Sequence, residues 1–131
     1  MTAPPGDARP LSPHATIYRW PLNAIMSILH RITGVGLAVG AVLVVWWFTA
    51  LSVSPGYYRL VDTLLTSILG DLVMFGLLGI LWYHFCNGLR HLVWDTGAGL
   101  DEVSVRRSAL AGWAGTLGLT AASLLVFLYV C

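Results

Sequence analysis

His84 lies inside an apolar stretch, Leu72–Leu89, and His91 follows at the polar end of that stretch. An ionisable side chain at membrane depth is expensive and marks a functional site by default. A neutral imidazole is the commonest nitrogen ligand of haem iron, so His84 is a candidate axial ligand of a haem buried between membrane helices. His84, Gly88, His91 and Asp95 recur at steps of four, three and four, which puts them on one face of a helix. At ~1.5 Å per residue, His84 sits roughly 10 Å deeper than His91. Gly88 removes a side chain one turn from His84, where a flat macrocycle needs clearance. Arg90 and His91 fall at the depth where the propionates of such a macrocycle would emerge, and cations there offset their charge. One deep histidine supplies one axial ligand, so a haem here requires the second from another chain or copy. The same residues also suit a plainer arrangement, a buried histidine bonded to a neighbouring helix with Gly88 serving helix packing.

A second constellation is SILHRITG, Ser27–Gly34. Ser27 and Arg31 are four apart and share a helix face. A hydroxyl and a guanidinium at the edge of the apolar zone can both donate to a carbonyl oxygen, an arrangement that suits a quinone head group with its tail in lipid. Arg31 stays charged and would stabilise developing negative charge rather than give up its proton. The alternative is that Arg31 snorkels to lipid phosphates and Ser27 bonds its own helix.

These residues need long helices to position them. Of the 131 residues, 57% are hydrophobic and 10% charged, against about 25% charged in an ordinary soluble domain. Ile32–Ala50, Leu72–Leu89 and Ala109–Val130 each approach the ~20 residues that cross a bilayer. The reading is an all-α integral membrane protein with three transmembrane helices, up-down-up. A Pro-rich segment covers residues 1–20, and the transmembrane domain covers 21–131. Helix 1 is expected at about 21–50, helix 2 at about 58–94 and helix 3 at about 109–130. Ser54–Gly56 reads as the turn after helix 1, and Gly97 and Gly99 as stops after helix 2. Gly112, Gly115 and Gly118 form a small-residue stripe for close helix packing.

All seven basic residues are Arg. Arg9, Arg19, Arg31, Arg90, Arg106 and Arg107 fall on one side of the expected spans and Arg59 on the other, so the N-terminus is expected to be cytoplasmic. Trp46, Trp47, Tyr57, Tyr58 and Arg59 are the expected anchors at the opposite interface, and Asp71 is expected to be wetted or capped near it. The first long apolar run begins only after Arg31, which argues against a secretory signal. A Met start without a transit-type leader points to a bacterial plasma membrane. Cys86 and Cys131 read as apolar fillers rather than a pair. No basic patch points to nucleic acid.

RPLSPHATIYRW (Arg9–Trp20), SILHRITG (Ser27–Gly34) and HFCNGLRHLVWDTG (His84–Gly97) together resemble the cytochrome b membrane-anchor subunit of succinate dehydrogenase, respiratory complex II. The likeness covers nearly the whole chain. It implies a bundle formed with a second small anchor subunit, the two holding one haem b. It implies that His84 is the axial ligand from this chain and that the sister anchor gives the other histidine. Ser27 and Arg31 map to the quinone site, for ubiquinone or menaquinone. His30, Arg31 and His91 map to the region of the haem propionates. The flavin FAD and the iron–sulfur clusters belong to the flavoprotein and iron–sulfur subunits, so no catalytic succinate-binding residue is expected here. Such an anchor would pass electrons from succinate oxidation to quinone. An anchor without haem and the related fumarate reductase anchor are the competing expectations, and a small channel with His84 as a relay is a weaker one.

Overall fold

The computed structural model describes residues 15–130. Most of the Pro-rich segment 1–20, Arg9 included, and Cys131 lie outside the described residues. Four helices follow one another: α1 Leu22–Val53, α2 Pro55–Leu65, α3 Ile68–Asp95 and α4 Glu102–Val130. Three of them, α1, α3 and α4, are long and apolar enough to span a membrane, and no strand occurs among the described residues. The shortest, at 28 residues, extends about 42 Å against a hydrocarbon core of about 30 Å. Its ends therefore reach the polar zones.

The helix ends follow local chemistry. Pro21 keeps an extended backbone and stands just outside α1, its carbonyl accepting from the amides of Ala24 and Ile25. Ser54, also extended, ends α1 and caps α2 by accepting from the Tyr57 amide at 3.2 Å, with Pro55 at the first helical position. The turn expected at Ser54–Gly56 is thus a single residue between two helices. The one helix expected over 58–94 is two. Thr66 closes α2, and the Ser67 hydroxyl accepts from the Gly70 amide to open α3. Gly70 lies so close to the carbonyls of Leu64 and Leu65 that a Cβ there would collide with backbone. The last helix begins at Glu102, earlier than the expected 109. Asp101 caps it, accepting from the Ser104 amide at 2.9 Å, and Gly97 and Gly99 turn the chain with φ of 80° and 70°. Hydrogen bonding from the Ser104 side chain and amide holds the Asp101 carboxyl below the usual carboxylate range.

α2 does not span; it ties itself to the end of α1. The indole N–H of Trp46 donates to the Tyr57 hydroxyl at 2.8 Å, and that of Trp47 donates to Asp62 at 3.1 Å. Asp71 lies in the first turn of α3, where a helix favours negative charge.

α3 is the central helix and packs antiparallel against both α1 and α4. Along α1, Gly34, Gly36 and Gly40 meet His84, Ile80 and Leu77 in turn. Along α4, the Trp82 indole donates to Ser123, Gly115 receives Cys86, and Arg90 reaches Ser108. Of the expected small-residue stripe, Gly112 faces Met26 and Gly115 faces Cys86, but nothing lies within 4 Å of a Cβ built at Gly118. The remaining helix surface is apolar and open, with Val35, Leu117 and Leu125 more than half exposed. So much exposed apolar surface suits lipid or partner helices rather than water.

One buried cation joins all three long helices. Arg90 is 6% exposed and its five N–H groups are all used. Nε donates to Ser108, one terminal nitrogen to Asn87 and the Met26 sulfur, and the other to Asn23 at 2.6 Å and the Val105 carbonyl. The guanidinium also lies 4.0 Å from the Trp94 ring centroid. Every one of these partners is neutral. Arg90 therefore does not reach outward to offset propionate charge, as its position in the sequence led us to expect; its donors are spent inside the bundle. Interhelical hydrogen bonds average about 0.6 kcal/mol in membrane bundles, so losing several together puts Arg90→Ala at roughly 2 kcal/mol of destabilisation. Thermal unfolding of the purified protein should show that loss, with Arg90→Lys only partly restored because one ammonium cannot reach acceptors on three helices.

Candidate functional site

Residues 26–34 of α1 and 83–91 of α3 face each other, and this brings the two sequence constellations together. The Tyr83 hydroxyl donates to the Met26 carbonyl at 3.0 Å, a buried bond that fixes the register. Above it the rings of His30 and His84 stack, with centroids 3.9 Å apart and planes within 14°. His91 lies on the other side of His30, at 5.0 Å between centroids and tilted by 42°. His30, from α1, is thus interleaved between the two histidines of α3. The rings are layered rather than convergent. Among the described residues no group of three His, Cys, Asp or Glu side chains forms a metal site by itself.

His84 is half-buried, and its two ring nitrogens have different surroundings. Nδ1 lies 3.2 Å from the His30 carbonyl oxygen and 3.2 Å from the Thr33 hydroxyl oxygen. The Thr33 hydroxyl donates its own proton to the same His30 carbonyl at 2.9 Å. Both oxygens therefore face Nδ1 as acceptors, and the tautomer that satisfies all three groups carries the proton on Nδ1. The Nε2 lone pair is then free to bind a metal. The helix bonding raised as the alternative for His84 is present through Nδ1, and it leaves Nε2 uncommitted among the described residues.

The glycines around these rings serve the arrangement. A Cβ built at Gly34 would lie 3.1 Å from Cε1 of His84, and one at Gly88 would lie 3.8 Å from Cε1 of His30. Gly34 thus lets the His84 ring lie against α1. Gly88 faces His30, one turn along from His84. His30 also has a buried Nδ1 without a hydrogen-bond partner among the described residues. A buried ring nitrogen without a partner is unusual, because buried polar atoms are ordinarily hydrogen-bonded. The uncommitted Nε2 of His84 is the feature of this layer that fits a haem, as a neutral imidazole ligand.

His91 is half-buried, its Nε2 3.5 Å from the Asn87 amide nitrogen. Asn87 is fully buried and gives its oxygen to Arg90. Sequence reasoning passed over Asn87 and Thr33. Thr33 shares a face with His30 at a spacing of three, so the helical pattern carried that signal. Ser27 is half-buried and Arg31 exposed, and neither polar group forms a hydrogen bond among the described residues. Ser27 differs here from Thr33, Thr49, Thr116 and Thr120, whose hydroxyls bond back to their own helices. The bond of Ser27 to its own helix, raised as the alternative, does not form among the described residues, and neither donor is committed there.

Residues 6–127 match the family described as "Succinate dehydrogenase/Fumarate reductase transmembrane subunit". The chain belongs to this family. Within it, the succinate dehydrogenase cytochrome b556 subunit of Paracoccus denitrificans is 45% identical over 119 residues, 91% of this chain and 92% of the relative. The cytochrome b556 subunit of Rickettsia bellii is 37% identical over 82% of each chain. The mitochondrial cytochrome b560 subunit of Sus scrofa is 42% identical over 80% of this chain and 63% of its own length. With these relatives and three spanning helices, the chain is a multi-pass membrane subunit. The tight fit at Gly34 gives a direct check. Gly34→Ala should lower the thermal midpoint of the purified protein, whereas Gly76→Ala, where nothing lies within 4 Å, should leave it unchanged or raise it, since alanine favours a helix over glycine. Equal effects would contradict the close approach of α1 to His84.

Proposed function

We propose that this chain is the cytochrome b membrane anchor of a succinate:quinone oxidoreductase. It holds one face of a haem b, forms part of the quinone-reduction site and seats the soluble subunits on the membrane. The observation that carries the reading is the split role of His84: α1 holds Nδ1, and Nε2 is left as a Lewis base on a flank of the bundle. The relatives' names, cytochrome b556 and b560, agree with it.

A haem b bound here would supply reversible one-electron transfer. Toward that group His84 offers Nε2, and His30, Arg31 and His91 are the polar and cationic side chains near its carboxylate edge. This chain provides one axial imidazole, so the second comes from a sister anchor that covers the flank. Ser27 and Arg31 donate hydrogen bonds to the carbonyl oxygens of ubiquinone or menaquinone as it gains electrons. Arg31 keeps its charge and stabilises the negative charge that develops there. Electrons reach this face from a flavoprotein subunit carrying FAD, through an iron–sulfur subunit. Succinate is bound in the flavoprotein and not in this chain.

The same end of the bundle carries Arg19, Arg31, Arg106 and Arg107, while Arg59 lies in α2 at the other. The positive-inside rule then sets the N-terminus and the quinone site on the cytoplasmic side of a bacterial plasma membrane.

His84→Leu should reduce the haem content of the assembled complex. An unchanged haem band in that variant would remove His84 from the ligand set. Arg31→Ala should slow ubiquinone reduction at least tenfold while succinate oxidation by an artificial acceptor stays near normal; about 1.4 kcal/mol of lost transition-state stabilisation produces a tenfold change. Equal loss of both activities would show that Arg31 serves assembly rather than quinone.

A further inference from the structure

Thr33 has so far served only to place the proton of His84, and its hydroxyl stands 3.2 Å from the nitrogen of that ring that points away from the free lone pair. We infer that Thr33 is a positioning residue that, through His84, sets the reduction potential of the haem iron. The inference rests on the assignment of His84 as an axial ligand.

One shared proton couples Thr33 to His84. The His30 carbonyl receives the Thr33 hydroxyl proton at 2.9 Å and also faces Nδ1 of His84 at 3.2 Å. With its own proton committed to that carbonyl, the Thr33 oxygen turns a lone pair toward Nδ1. The Nδ1–H of His84 is therefore shared between two acceptors on α1. Each acceptor draws that proton away from the ring and raises the electron density at Nε2, which makes the imidazole a stronger donor. A stronger donor favours the ferric state and lowers the potential. Two acceptors also fix the ring plane, and the contact of His84 Cε1 with Gly34 leaves it little room to turn. Tyr83 and the helix backbone hold the register of α1 and α3 independently of Thr33. The threonine hydroxyl is thus free to act on the ring rather than on the fold.

The test is a redox titration of the haem absorbance in the purified complex, with Thr33→Val, Thr33→Ser and His84→Leu compared with the unmodified protein. Valine keeps the shape and removes one of the two acceptors, leaving the His30 carbonyl, whereas serine keeps both. Thr33→Val should raise the potential by about 59 mV, a tenfold loss of ferric preference. Thr33→Ser should stay at the unmodified value. An unchanged potential in Thr33→Val, with haem retained, overturns the inference. Should Thr33→Val fail to assemble, Thr33→Cys retains a weaker acceptor of similar size, and it should shift the potential upward by less; an unmodified value there overturns the inference equally. A haem spectrum and potential unaffected by His84→Leu would instead refute the axial assignment, which separates the two failures.

Discussion

Leaving an imidazole unpartnered in the apolar part of a membrane is costly, and of the two nitrogens of His84 one is satisfied among the described residues. The Nδ1–H of His84 is held by two oxygens of α1, at equal distances of 3.2 Å. That interaction fixes which nitrogen is left for a metal and which way the ring faces. It also sets conditions for the rest of the structure. α1 has to approach α3 closely, which Gly34 permits. The helices have to keep antiparallel register, which Tyr83 and Arg90 enforce.

Arg90 and His84 show two ways of managing polarity at depth. Arg90 carries a full charge and turns it inward, where neutral oxygens and a sulfur on three helices, with the Trp94 face, absorb its donors. A buried charge so completely solvated by its own protein has nothing left to offer a ligand. His84, Ser27 and Arg31 do the reverse, each keeping a polar atom uncommitted on one flank. The contrast separates a residue that holds the bundle from residues that keep a polar atom uncommitted among the described residues.

Much of this could be read from the sequence because membranes enforce simple rules. Three apolar stretches gave three spans, and the four-three-four spacing of His84, Gly88, His91 and Asp95 gave one helix face. The adjacency of Ser27–Arg31 and His84–His91 followed from antiparallel packing of consecutive spans. What escaped was decided by short-range hydrogen bonds. The break between α2 and α3 depends on the Ser67 cap and the close approach of Gly70 to two carbonyls, inside a run that looks continuously helical. The early start of α4 depends on Asp101, in a stretch polar enough to read as loop. Thr33 and Asn87 were hidden by type: neither is ionisable, so the search for expensive charges passed over them. Arg90 was misplaced for the opposite reason, since an arginine near a helix end ordinarily seeks the interface.

The most direct test of this account is an experimental density map of the assembled complex at a resolution that orients imidazole rings. The expected result is Nε2 of His84 at coordination distance from a haem iron, with Nδ1 toward the His30 carbonyl and the Thr33 hydroxyl. Iron bound by other residues, or a His84 ring turned so that Nε2 faces α1, would contradict it.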